Sequence, residues 1–154
     1  MKNKLLYLSL MLILATAISC KEEAKEDITA KNKLESLAQK VLADSIARTF
    51  SLDTLTSYTW DKVYILTPYS QLDKAEDVAK ADLSQLGKTG IESVDWKNVI
   101  AFISNGELVS YIDLPSHLND FSYLSDSAML QHYGKTEYKM FKKEGRAVVE
   151  KIKD

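Results

Sequence analysis

A predicted β-hairpin in the second half of the chain constrains the fold more than any other feature. Val99–Ser104 and Glu107–Asp113 are strand-like segments separated by Asn105 and Gly106. An Asn-Gly pair favours a type I′ turn, because both central residues of that turn need a positive φ. Val99–Ile103 is apolar at every position, which indicates a central strand covered on both faces. The sequence therefore predicts an antiparallel sheet built around this hairpin.

Two amphipathic helices are predicted before the hairpin. Ala30–Arg48 carries apolar residues at helical spacing, with Thr29 as its N-cap. Its polar face is not strongly basic, so packing on a core is favoured over lying on a membrane. The second helix starts at a Ser70 cap and ends at Gly87. Its apolar positions are Leu72, Ala75, Ala79, Leu83 and Leu86.

Further strands complete the predicted domain. Trp60–Thr67 is rich in β-branched and aromatic residues, and Pro68 stops it. Pro115–Asp126 is predicted to be a long irregular loop, which is typical of functional or mobile segments. Another strand is predicted at Ala128–Tyr133.

Glu137–Lys142 and Arg146–Ile152 indicate a last hairpin around Glu144-Gly145, with a short terminal helix as the alternative. The order of elements predicts an α+β fold. We expect a mainly antiparallel sheet of about four to five strands, with both helices on one face.

The N-terminus has the pattern of a signal peptide. Lys2 and Lys4 precede the apolar segment Leu5–Ala17, which is too short to span a bilayer comfortably. Cys20 follows, and it is the only cysteine in the chain. A single cysteine excludes an internal disulfide bond.

Ala17-Ile18-Ser19-Cys20 resembles the lipobox of bacterial lipoproteins, in which a small residue directly precedes the cysteine. Ala17 departs from the more usual leucine of that pattern. The resemblance implies a diacylglycerol on the Cys20 sulfur and an acylated new N-terminus, with fatty acids such as palmitate. Two or more acyl chains give lasting membrane attachment, whereas one chain gives only marginal binding.

Lys21-Glu22-Glu23 resembles the export signal of outer-membrane lipoproteins that are displayed on the surface of Gram-negative cells. An ordinary charged tether has the same composition, so surface and periplasm-facing locations both stay open. The predicted organisation is a signal peptide at 1–19, a lipidated cysteine with a charged tether at 20–29, and one α+β domain at 30–154.

Charge argues against nucleic acid as a partner. All 22 acidic residues follow the leader, whereas two of the 20 basic residues lie within it, so residues 20–154 carry a net charge of −4. A mildly acidic domain without a basic run is a poor ligand for a phosphate backbone.

Catalytic and cofactor motifs are weak. Gly87-Lys88-Thr89 and Gly134-Lys135-Thr136 resemble the end of a phosphate-binding loop, but the required earlier glycine is replaced by Asp82 and Met129. Both tripeptides are therefore predicted to be turns.

The two histidines, His117 and His132, give no metal motif, since Asp113, His117 and Asp120 lack a known ligand spacing. Ser116 is not in a Gly-x-Ser-x-Gly elbow. No catalytic residue, cofactor or metal is predicted.

Aromatic side chains are the remaining candidates for recognition, because tyrosine and tryptophan combine a large contact area with a polar group. The predicted binding surface comprises Trp60, Tyr69, His117, Phe121 and Tyr123. The Trp-Asp-x-Val-Tyr strand that ends in Pro-Tyr resembles small secreted bacterial domains, and that resemblance implies no activity.

The sequence favours a non-catalytic, lipid-anchored module of the cell envelope that binds a protein or a small ligand. One alternative is an assembly accessory that pairs through its last strand. A small hydrolase built on the histidines is the least favoured alternative.

Overall fold

The computed structural model describes residues 23–134 and 136–152, so the leader, Cys20, Lys21 and Glu22 lie outside the described residues. The predicted α+β class is confirmed. The elements are β1 (Lys25–Glu26), α1 (Ile28–Asp44), β2 (Arg48–Ser51), β3 (Lys62–Leu66), α2 (Leu72–Ala79), β4 (Lys97–Ser104), β5 (Glu107–Pro115), α3 (Asp126–Met129), β6 (Leu130–His132), β7 (Glu137–Lys143) and β8 (Arg146–Lys151). Short 3₁₀ segments occur at Leu52–Thr54 and Ser84–Thr89.

The strands form two sheets. The larger sheet has the order β1-β5-β4-β3-β6, and β2-β7-β8 form a separate three-stranded sheet. All pairings are antiparallel except that of β1 with β5, which is parallel. The mainly antiparallel sheet is confirmed, whereas the second sheet was not predicted. It arises because β2, which begins at Arg48 where the first helix was predicted to end, pairs with β7.

The central hairpin has the predicted geometry. Asn105 has a φ of 53° and Gly106 a φ of 79°, as a type I′ turn requires. β4 lies in the middle of the larger sheet, and its residues from Val99 to Ile103 are buried. Alternate side chains enter two different cores: Ile100 and Phe102 on one face, and Val99, Ala101 and Ile103 on the other.

The two main helices lie on opposite faces of the larger sheet, so the prediction of both helices on one face is wrong. α1 buries Leu34, Ala38 and Val41 in the core that contains Phe102 and the three-stranded sheet. α2 packs in the core that contains Ala101. The physical reason is the strand itself, because a strand that is apolar at every position needs cover on both faces.

α1 begins earlier than predicted. The Asp27 carboxylate accepts a hydrogen bond from the Ala30 N–H at 2.9 Å, so Asp27, and not Thr29, is the N-cap. Ser45, with a φ of 59°, ends the helix four residues before the predicted boundary. Residues 24–29 belong to the fold, because β1 pairs with β5 and Ala24 is buried. The predicted tether at 20–29 is therefore wrong from residue 24 onward.

The second predicted helix is divided in two. α2 ends at Ala79, because Lys80 adopts a φ of 49°. Leu83 and Leu86 are buried as predicted, but they lie at and within the following 3₁₀ segment. The first N–H of α2, from Leu72, donates to a Glu92 carboxylate oxygen at 3.0 Å, so Ser70 is not the cap.

The C-terminal third contains the predicted hairpin and a fixed loop. Glu144 and Gly145 have φ values of 50° and 79° between β7 and β8, so the alternative of a terminal helix is wrong. Residues 116–125 form an irregular loop, as predicted. The loop is held by Phe121 in the core and by the Asn98 amide, which donates to the Asn119 carbonyl at 2.6 Å. In the part of the chain that the structure describes, no helix is long and apolar enough to cross a membrane.

Candidate binding groove

The residues of the predicted binding surface do not form one surface. Phe121 is fully buried, whereas Tyr69 and Tyr123 are exposed at separate places. Tyr69 follows β3, and Tyr123 lies in the loop after β5. Trp60 lines a groove between described residues. Of the two predicted aromatic residues on the loop after β5, Tyr123 alone is exposed.

A groove of about 490 Å³ lies where the β2–β3 connection meets the residue that follows β6. We call it the aromatic groove. Its volume is in the range of small-molecule sites, roughly 300–1,000 Å³. It is lined by Asp53, Thr56, Ser57, Tyr58, Thr59, Trp60 and Tyr133.

Trp60 forms the buried wall of the aromatic groove, with only 5% of its surface exposed. Its ring packs edge-on against Phe102 at 5.5 Å and against Tyr133 at 5.0 Å between ring centroids. Its indole N–H donates to the Thr56 hydroxyl at 3.0 Å. Tyr133, in contrast, is 57% exposed. Trp60 thus positions the ring of Tyr133, which is the accessible aromatic surface.

Asp53 supplies a fixed carboxylate to the groove. One of its oxygens accepts the Gly134 N–H at 3.1 Å, and the other accepts the Ser51 hydroxyl at 3.1 Å. The carboxylate retains free acceptor capacity, because each oxygen has two lone pairs. Asp53 therefore favours ligands that donate hydrogen bonds and disfavours anions.

Two buried or half-buried tyrosines, Tyr58 in the groove lining and Tyr138 in the core, keep their protons at neutral pH. Burial raises the pKa of the Tyr58 phenol above its usual range. Burial also raises the pKa of Tyr138, and the negative charge of Asp53 adds to this effect. Asp53 is thus the only negatively charged side chain among the described lining residues.

The histidines lie outside the groove. His117 and His132 are both exposed, and within residues 23–134 and 136–152 neither imidazole has a hydrogen-bond or ion-pair partner. Asp113 pairs with Lys97 at 2.7 Å, and Asp120 lies 3.5 Å from Arg146. The fold therefore does not join Asp113, His117 and Asp120 into a site. Among the described residues, no group of three or more potential metal ligands occurs.

The first glycine-lysine-threonine sequence has a structural role. Lys88 donates to the Glu23 carboxylate at 2.9 Å and to the Ala24 carbonyl at 3.0 Å. Of the predicted export signal, only Glu23 is described, and this ion pair holds it against the domain. In the second such sequence, Lys135 lies outside the described residues.

The predicted binding surface omitted several residues that line the aromatic groove or are exposed elsewhere. Tyr133 and Tyr58 come to line one groove only through the tertiary fold, and Asp53 lies in a segment without regular periodicity. The one local signal was the density of hydroxyl residues between Thr54 and Thr59. Trp96 is 56% exposed at the opposite end of the larger sheet, with the Lys97 ammonium 4.6 Å from its ring.

Comparisons with known proteins give no relatives. No family model matches the chain, and no curated protein or solved structure matches it significantly.

Proposed function

We propose that this chain is a lipid-anchored binding module of the bacterial cell envelope, attached through Cys20, and that the aromatic groove binds a small neutral ligand. The observation that carries this proposal is the exposed ring of Tyr133, fixed edge-on against the buried Trp60 inside a hydroxyl-lined concavity. A rigid aromatic ring in a polar groove provides contact area at a low entropic cost.

The lining favours a ligand that is apolar on one face and hydroxylated at its edge. Tyr133 offers an aromatic surface, and Thr56, Ser57 and Thr59 offer hydroxyl groups that both donate and accept hydrogen bonds. Asp53 adds a charged acceptor, which strengthens hydrogen bonds from ligand hydroxyls. A saccharide unit has this chemistry, since its C–H face is apolar and its hydroxyls lie around the ring.

Binding without turnover fits the lining better than catalysis. Hydrolysis of a glycosidic bond normally needs two carboxyl groups, one on each side of the bond. Asp53 is the single carboxylate among the described lining residues. Both histidines are exposed and their imidazoles have no partner among residues 23–134 and 136–152, so they give no support to the hydrolase alternative.

The assembly alternative is weakened by the surroundings of β8. The edge of β8 that faces away from β7 already bonds to the loop after β5. The Asp120 N–H donates to the Ala147 carbonyl at 2.8 Å, and the Val149 N–H donates to the Asp120 carbonyl at 2.9 Å. A partner strand would have to displace these bonds to pair there.

The anchor is tested in cells with Cys20→Ser. We expect the natural chain to incorporate an alkyne-tagged fatty acid and to fractionate with the outer membrane, whereas the variant does neither. Protease accessibility on intact cells then separates surface display from a periplasm-facing position. A natural chain that carries no label would refute anchoring through Cys20.

The groove is tested on the purified protein with a panel of neutral oligosaccharides. Trp96→Phe leaves Trp60 as the only tryptophan, so its emission reports on ligand at Tyr133. Tyr133→Ala should abolish the response. Tyr69→Ala is the matched control, because Tyr69 is 60% exposed but lies outside the groove. Equal losses in both variants, or no response to any member of the panel, would contradict the proposal.

A further inference from the structure

The chain enters the described domain at a fixed point. The Ala24 N–H donates to the Gln85 side chain at 2.8 Å, and the Ala24 carbonyl accepts from Lys88 at 3.0 Å. The next residue, Lys25, is paired with Ser110 of β5. Ala24 is therefore held on both sides, and its position relative to the sheet does not depend on a flexible linker.

The direction of entry follows from the strand pairing. β1 runs parallel to β5, and β5 starts directly after the Asn105-Gly106 turn. The residues before Lys25 therefore approach from the turn end of the larger sheet. The opposite end is marked by Trp96, because the next residue, Lys97, pairs with Pro115 at the end of β5.

The two ends differ greatly in their distance from the predicted lipid. Cys20 precedes Glu23 by three residues, which span at most about 11 Å when fully extended. From Ser110 to Pro115 the sheet rises by roughly 17 Å, and Trp96 lies one residue further on. The tether is thus shorter than the sheet.

We infer that the anchored domain stands with the Asn105-Gly106 end of its larger sheet against the lipid headgroups and with Trp96 on the side away from the membrane. This inference rests on the anchoring proposed above. The exposed side chains near the entry include both Lys25 and Glu107, so surface charge of one sign does not hold this end to the bilayer. The short covalent tether to the lipid holds this end of the sheet at the bilayer.

The orientation places the aromatic groove beside the membrane. Tyr58 and Thr59 line the aromatic groove and also a second concavity that includes Glu23, Ala24 and Lys25. A ligand of the groove is therefore bound close to the headgroup surface.

Depth-dependent quenching tests the orientation. The natural lipoprotein is reconstituted into phosphatidylcholine vesicles that contain headgroup spin-labelled lipid. One variant, Trp60→Phe, retains only Trp96. The other combines Trp60→Phe, Trp96→Phe and Val109→Trp, because Val109 is 39% exposed and lies beside the entry strand. Thermal melting of both variants verifies that they are folded, and Cys20→Ser versions give the unanchored baseline.

We expect the Val109→Trp reporter to be quenched about threefold or more above Trp96, since roughly 20 Å of sheet separates the two levels. Acrylamide in the aqueous phase should reach Trp96 equally well with and without the anchor. Equal quenching of the two reporters, stronger quenching of Trp96, or no quenching of either reporter in vesicle-bound protein would overturn the inference.

Failure of anchoring is recognised separately. If the natural chain does not float with the vesicles, the proposed acylation is wrong. The same comparison is then made on the chain from residue 20 onward, with its only thiol coupled to a maleimide lipid. That sample decides the orientation independently of acylation.

Discussion

Replacing Phe121 with alanine is the sharpest test of how the loop after β5 is held. Phe121 is fully buried and packs edge-on against Tyr138, with 6.4 Å between ring centroids. Removing a buried phenylalanine ring costs about 3–5 kcal/mol, because it forfeits the transfer energy and leaves a cavity. That loss is a large share of the roughly 5–15 kcal/mol by which domains are stable.

The matched substitution is Tyr123→Ala, two residues further along the same loop. Tyr123 is exposed, and its ring contacts the Lys143 ammonium at 4.3 Å. An exposed contact of this kind contributes about 0.5–1 kcal/mol. The two substitutions remove similar aromatic groups, so the difference in their cost beyond the Tyr123–Lys143 contact reflects burial.

Urea unfolding, followed by far-ultraviolet circular dichroism, gives the magnitudes. With a slope of about 2 kcal/mol per molar urea, Phe121→Ala should lower the midpoint by roughly 2 M and Tyr123→Ala by less than about 0.5 M. Phe121→Leu, which should cost less than about 1.5 kcal/mol, keeps the comparison possible if the alanine variant does not fold. Equal midpoints for the Phe121→Ala and Tyr123→Ala variants would refute the buried position of Phe121.

Three further predictions concern buried polar groups and the central turn. Tyr138 has a raised pKa and, among described residues, no partner for its hydroxyl. Because the folded state keeps a phenol proton that the unfolded chain loses, the free energy of unfolding should fall above about pH 10 by up to about 1.4 kcal/mol per pH unit for this group. Urea titrations at several alkaline pH values should show a shallower fall for Tyr138→Phe. Lys97→Met should cost about 2 kcal/mol by leaving the partly buried Asp113 unpaired, and adding Asp113→Leu should restore most of this loss. Gly106→Ala should cost about 1–2 kcal/mol in thermal melts, because a side chain is strained at a φ of 79°, whereas the new Cβ would make only an ordinary contact, at 3.5 Å, with the Lys80 carbonyl oxygen. A fall in stability with pH that is as steep in Tyr138→Phe as in the natural chain would contradict the first prediction. A Lys97→Met, Asp113→Leu double variant no more stable than Lys97→Met would contradict the second, and an unchanged melting temperature of Gly106→Ala would contradict the third.

Local chemistry in the sequence determined the hairpins and the presence of the helices. Asn105-Gly106 and Glu144-Gly145 adopt positive φ values because these residue types tolerate the left-handed region. The apolar periodicity of residues 30–42 was sufficient to predict α1, since its buried stripe recurs every three or four residues. The α+β class followed from the order of these elements.

Tertiary structure decided where the elements meet. The apolar content of β4 required cover on both faces, but no local signal assigned α1 to one face and α2 to the other. Nor did any local pattern show that β2 would pair with β7, or that Asp120 would bond to β8, because strand pairing depends on residues distant in sequence.

The groove depended on the fold in the same way. Trp60 and Tyr133 are both aromatic, yet Trp60 is buried in the core that contains Phe102, whereas Tyr133 is exposed. Phe121 and Tyr123, two residues apart, also differ in burial, because Phe121 packs against Tyr138 in the core. Residue type set what each side chain could do, and long-range packing decided which of them reached a surface.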